Sequence, residues 1–163
     1  MTRRVWLLDA NLLIALTHAA HVHHAEVHAW FQAVPERRWA TCALTQLAFA
    51  RLSCNPKVTG DPLTPPQVLH ALDQLVSHPQ HEYWDDAPAP AGAPTLRHPA
   101  LVGHRQVTDA YLLSIAATRS QCLATLDRGL VSFAAAADLA HAVELVGSVT
   151  TVQERRARYR SRI

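Results

Sequence analysis

The sequence predicts an α/β fold, a parallel β-sheet with helices against both of its faces. Three observations carry that expectation. Short, strongly apolar runs of strand length alternate with segments whose apolar residues recur at helical spacing. Aspartates stand where such runs end, the edge at which open parallel sheets present their chemistry. The chain of 163 residues, 49% hydrophobic and 17% charged, suits one globular domain with a proper core.

Taken in order, residues 5–8 (VWLL) read as a buried strand that delivers Asp9 at its carboxyl end. Asp9 and Asn11 lie inside VWLLDANLLIAL, behind Arg3 and Arg4. A carboxylate and an amide there are disfavoured in an apolar phase, which speaks against a secretory signal. Residues 11–17 and 24–31 read as helices, the second with Ala25, Val27, Ala29, Trp30 and Phe31 supplying apolar contacts. Residues 38–41 form a short strand, and residues 44–53 a helix stopped by Asn55-Pro56. Pro65 opens the helix PPQVLHALDQLVSH at a position where its missing N–H costs nothing. Residues 82–84 read as a strand. The following DDAPAPAGAPTLRHPA reads as a surface loop within one domain, since a linker there would leave two halves too small to fold comfortably. VTDAYLLSIAATRS places Val107, Ala110, Leu113 and Ala117 on one helix face; CLATL is a strand, GLVSFAAA a helix and AVELV a last strand. Residues 1–150 are expected to form the domain, and residues 151–163 a basic tail.

Composition removes several function classes. No run of 18 apolar residues occurs, so no membrane span is expected. Cys42, Cys54 and Cys122 are scattered, odd in number and without CxxC spacing, against a disulfide framework or a thiolate zinc site. A reducing cytoplasm fits best. Glycine-rich nucleotide motifs are absent, and Ser114, Ser120 and Ser132 lack a nucleophile-elbow setting. A phosphorylated receiver domain wants a late lysine, whereas Lys57 is the only lysine. Five arginines crowd the terminal ERRARYRSRI. Their forks suit phosphates and carboxylates, and a solvated tail with an arginine-rich codon bias explains them equally well.

The acids carry the chemistry. Asp9 ends the first strand, Asp127 ends CLATLD, Asp109 opens the helix feeding that strand, and Asp85 and Asp86 follow the strand around Tyr83. Carboxylates gathered at one edge raise each other's pKa unless a cation compensates. Mg²⁺ or Mn²⁺ takes oxygen ligands and keeps waters that a phosphate can displace. Such an ion lowers the pKa of bound water and stabilises charge on a phosphoryl oxygen, the chemistry of nucleic-acid hydrolysis. Each acid alone reads equally as a helix cap, Asp109 behind Thr108 above all.

LLDANLLIAL, TQLAFARLSCNP, VTDAYLLSIAA and CLATLDRGL, in this order, resemble the PIN-domain family, most closely the VapC-type toxins of bacterial toxin–antitoxin pairs. The resemblance runs from about Val5 to Val146. It implies a three-layer α/β/α sandwich with a central parallel sheet, Mg²⁺-dependent endoribonuclease activity, inhibition by a cognate VapB-like antitoxin, and a homodimer. Carried over by position, Asp9, Asp109 and Asp127 are the catalytic and metal-holding acids. One position departs from the pattern T-x-x-E-F-x-R: Thr45, Phe49 and Arg51 match, while Ala48 stands where many members have glutamate. Three acids favour one metal over two, with Asp86 or Asp85 as a possible substitute. The rival reading is a non-catalytic PIN-like module that binds RNA or a partner without cutting.

Other signals weigh less. His18, His21, His23, His24 and His28 crowd THAAHVHHAEVHAW, with His24 and His28 at the spacing of a zinc-binding helix face. Ala25 occupies the position where HEXXH needs glutamate, so the histidines read as a solvated helix start with Val27 and Trp30 packed. Arg51 reads as packing against the sheet edge. Arg128, next to Asp127, is the better candidate for an RNA phosphate, and any contact from the tail arginines would be salt-dependent.

Overall fold

A computed structural model describes residues 4–147. Strands β1 (Val5–Leu8), β2 (Arg38–Cys42), β3 (His81–Trp84), β4 (Cys122–Thr125) and β5 (Val143–Leu145) form one sheet of order β3-β2-β1-β4-β5. Every pairing is parallel. Helices α1 (Ala10–Thr17), α2 (His24–Gln32), α3 (Ala43–Ser53), α4 (Pro56–Thr59) and α5 (Pro65–Val76) precede α6 (Val107–Thr118) and α7 (Arg128–Ala136). The chain runs outward from β1 through β2 to β3, then returns to the other side of β1 for β4 and β5. The strand order therefore reverses between β1 and β4, the switch point that opens a crevice at the carboxyl ends.

The period of two along each strand builds the layers. Val5 and Leu7 enter a core with Ala110, Leu113, Leu130 and Phe133 of α6 and α7. Trp6 and Leu8 enter the opposite core with Leu12, Val27, Phe49 and Val68 of α1, α2, α3 and α5. Helices thus cover both faces, the expected three-layer sandwich. Covered on both sides, β1 and β4 are buried at every position and carry no polar alternation.

Element ends differ locally from the expectation. Helix α1 starts at Ala10, directly after Asp9, and β3 starts one residue earlier than its apolar signal. The short helix α4 follows the predicted stop, with Asn55 Oδ1 accepting the Lys57 N–H at 3.0 Å. The proline-rich stretch is only partly a surface loop. Two 3-10 turns, Pro90–Gly92 and Pro94–Arg97, fold it against α6, burying Ala93 and Thr95, whose hydroxyl donates to the Ala110 carbonyl. Prolines there preset φ for tight turns, which composition alone reads as exposure.

The histidines after α1 are structural in a way the sequence hid. His24 Nδ1 donates to the Ala15 carbonyl at 2.7 Å and His28 Nε2 to the Leu16 carbonyl at 3.0 Å. Side chains of α2 thereby satisfy carbonyls that α1 leaves open at its C-terminus. They are half-buried rather than solvated, and their spacing serves this stitch.

On the edge strand β5, the two carboxylate oxygens of Glu144 accept the indole N–H groups of Trp6 and Trp30 at 2.9 Å each. The buried Arg37 guanidinium lies 4.4 Å from the Trp6 ring centre and 3.8 Å from that of Trp30. Replacing Glu144 by alanine strands two indole donors in the interior. Urea unfolding of the Glu144→Ala variant is expected to show a loss of roughly 2–4 kcal/mol; a loss within about 0.5 kcal/mol would show that water reaches both indoles.

Candidate active site

The site is built at the switch point. The register Leu8↔Ala124 continues with Asp9 N–H donating to the Ala124 carbonyl at 3.1 Å, so Asp9 stands beside Thr125. The Thr125 hydroxyl donates to Asp9 Oδ2 at 2.9 Å and accepts the Asp127 N–H at 3.0 Å. One fully buried hydroxyl thus ties the first acid to the backbone of the last. Sequence reasoning passed over Thr125. Its one signal was a hydroxyl closing an apolar strand two residues before an aspartate.

The three acids occupy different environments. Asp9 is 6% exposed. It stands at the N-cap position of α1, yet its side chain makes no capping hydrogen bond to that helix. Burial pushes its carboxyl up. The Thr125 hydrogen bond and the nearby N–H groups of Ala10 and Asn11 act the other way, while the Asp127 charge adds to the rise. Asp109 lies in the first turn of α6, but the cap position there belongs to Gln106. Burial raises the Asp109 carboxyl to about 7, with the charges of Asp9 and Asp127 adding to the effect. Asp127 is a true cap: its Oδ1 accepts the Gly129 N–H at 2.6 Å at the head of α7.

Asp109 separates two hollows. One, of about 180 Å³, is lined by Asp9, Asn11, Thr45, Ala48, Arg51 and Asp109 among others. The second, of about 210 Å³, is lined by Gln106, Asp109, Asp127, Gly129, Leu130 and Phe133. Gln106 was also absent from the sequence reading, because only the fold brings it to this edge, and Asn11 entered it only as a polar residue inside an apolar run. Arg51 is exposed and lines the first hollow rather than packing against the sheet edge. Helix geometry explains this: Phe49 points into the core while residues 44, 48 and 51 share the face toward Asp9.

Asp86 falls elsewhere. It is exposed beyond β3, and its charge acts on Cys42 and Tyr111, not on Asp9 or Asp109. Arg119 holds the neighbouring backbone, donating to the Asp85 and Ala87 carbonyls at 2.8 and 3.0 Å. Arg128 is exposed at the first position of α7, beside Asp127. The arginine-rich tail lies outside the described residues.

Among the described residues, no three acid, imidazole or thiol groups already form a group able to hold a metal ion. The donor chemistry nevertheless fits a hard divalent cation. All three side chains offer carboxylate oxygens, and the charge interactions within the group raise Asp9 and Asp109, repulsion that a cation relieves.

A scan against models of known families finds no match for the chain. Curated relatives are clear. The chain is 38% identical over 128 residues to Ribonuclease VapC38 of Mycobacterium tuberculosis, covering 78% of this chain and 89% of that one. It is 41% identical over 124 residues to Ribonuclease VapC29 of the same species, covering 76% and 86%. Among solved structures, VapBC2 from Rickettsia felis, bound to a DNA fragment from its promoter, superposes with a TM-score of 0.58 at 16% identity, covering 88% of this chain and 99% of that one. PAE2754 from Pyrobaculum aerophilum gives a TM-score of 0.57 at 18% identity, covering 94% and 90%. The solved structures share the fold, while the identity to the curated relatives runs over more than three quarters of the chain in a single domain-length match; the chain belongs to the VapC ribonuclease family.

Proposed function

We propose that this chain is a metal-dependent endoribonuclease, the toxin of a VapBC-type pair, with Asp9, Asp109 and Asp127 holding Mg²⁺ or Mn²⁺. The observation that carries the reading is the electrostatically coupled set of acids at the β1–β4 switch point, in a chain of this family. A bound ion would supply an activated water and charge stabilisation at an RNA phosphodiester.

The side chains divide the work. Asp9 is the fixed member: it is buried, and Thr125 holds one of its oxygens. Asp127 commits Oδ1 to the helix cap, which leaves Oδ2 for a ligand. Asp109 is the proton-holding member, since a carboxyl titrating at about 7 is half protonated at neutral pH until a cation displaces the proton. Arg128, exposed beside Asp127 at the start of α7, would meet an RNA phosphate there. A VapB-like antitoxin, a second copy of the chain as homodimer partner, and a cytoplasmic setting belong to the same proposal. Among the described residues no helix is long and apolar enough to cross a membrane.

The test is cleavage of a mixed RNA panel, tRNAs included, by the purified full chain with Mg²⁺ or Mn²⁺. Cutting at defined positions is expected, abolished by chelator and reduced more than ~100-fold in Asp9→Asn, since loss of a ligand exceeds loss of a supporting contact. Folded chain that binds RNA and never cuts would favour the binding module, with Ala48 as its reason.

Two further outcomes follow from the acids. The raised carboxyl of Asp109 binds more protons folded than unfolded between about pH 4 and 7, so metal-free stability falls as pH rises through that window. Asp109→Asn should therefore stabilise the metal-free chain at about pH 8 by roughly 1–3 kcal/mol, because solvent screening trims the full electrostatic cost of the half-buried charge. The gain should vanish near pH ~3, where the carboxyl is protonated folded and unfolded alike. Equal unfolding midpoints for the two chains at both pH values would remove the burial argument. Thr125→Val removes the donor on Asp9 and the acceptor for Asp127 N–H without changing shape. Activity or metal affinity should fall ~10–100-fold and the acidic limb of the pH–rate profile move up, with Thr125→Ser restoring both.

A further inference from the structure

Arg51 is a charged side chain at the site that the acids do not use. It is exposed, lines the hollow that holds Asp9 and Asp109, and makes no hydrogen bond or ion pair with any described residue. The charges acting on Asp109 are those of Asp9 and Asp127, both in the unfavourable sense, so Arg51 is not the counter-ion of the acids. One turn earlier on the same helix face stands Ala48, which brings neither charge nor bulk to the hollow. On that face the chain therefore carries a guanidinium that no described side chain engages, next to a position that holds no charge.

We infer that Arg51 is the phosphate-anchoring residue of this site, holding a non-bridging oxygen pair of an RNA phosphodiester in the hollow opposite Asp9. The ligand class follows from the lining. A guanidinium fork pairs two oxygens of one phosphate, and an anion entering a hollow walled by carboxylates needs a fixed positive partner. The inference rests on the nuclease reading, which names RNA as the substrate. It makes Arg51 a binding residue, with metal capture left to the acids.

The test uses the full chain in chelator, where no cutting interferes. Binding of a fluorescein-labelled single-stranded RNA of mixed sequence is followed by anisotropy over a range of salt. Arg51→Gln is expected to weaken binding roughly tenfold and to reduce the slope of log K against log salt by ~0.7, one phosphate contact on a single strand. Arg51→Lys should keep the slope but recover only part of the affinity, since an ammonium lacks the fork. Lys57→Gln, a surface cation lining neither hollow, should bind as wild type. With metal, Arg51→Gln should raise KM about tenfold while kcat stays within ~threefold. Unchanged RNA affinity and slope in Arg51→Gln overturn the inference, as does a loss confined to kcat or to capture of a protein partner. Wild-type chain that binds RNA through Arg51 but never cuts sinks the nuclease reading alone. Cutting with binding indifferent to Arg51 sinks the inference alone, and wild-type chain that binds no RNA sinks both.

Discussion

The parallel pairing of β1 with β4 is the constraint on which the rest depends. It is the seam where the strand order reverses, and it sets Asp9 one step beyond Leu8↔Ala124, level with Thr125. The contact of Asp9 with Thr125, and through it with the Asp127 N–H, follows from that register. A slip of one residue would turn Thr125 to the other face of the sheet and leave a buried carboxylate without its donor. The two cores make such a slip costly, since it would also exchange Leu123 and Ala124 between the layers.

Burial at this seam carries a tension that is useful chemically. A carboxylate 6% exposed at the end of a wholly apolar strand is destabilising by itself. The fold answers with one hydroxyl and the nearby N–H groups of α1, and leaves the remaining charge for a ligand. The edge strand β5 shows the contrast. There Glu144 is satisfied by two indoles, and the stacked Arg37 adds a cation between the same rings, so the arrangement holds the structure together.

Helix α3 shows how substitution at one position redistributes the roles of its neighbours. Thr45 accepts the Cys42 N–H at 3.1 Å and fixes the start of the helix, while Phe49 anchors its inner face. With that face set, position 48 must look onto the acids whatever residue it carries. Alanine there lowers the negative charge of the hollow and leaves Arg51 with no carboxylate partner on its own helix.

The alternation of apolar runs with helical segments was enough to reveal the α/β class, because burial on both faces leaves a mark in composition at each strand. The positions of Asp9, Asp109 and Asp127 at element ends were legible for the same reason, and the four ordered motifs made the family visible. Sequence could not separate cap from ligand, since both want an aspartate before a helix; only geometry shows Asp127 bonded to Gly129 and Asp9 bonded to Thr125 instead. It could not see Thr125, Gln106 or the orientation of Arg51, nor the stitch of His24 and His28 onto α1. These depend on strand register and on which helix lies beside which, distances that no local pattern encodes. The sequence by itself determined which segments are buried and where the acids stand along the chain. The tertiary structure decided which side chains meet, because contacts across a parallel sheet join residues more than a hundred positions apart.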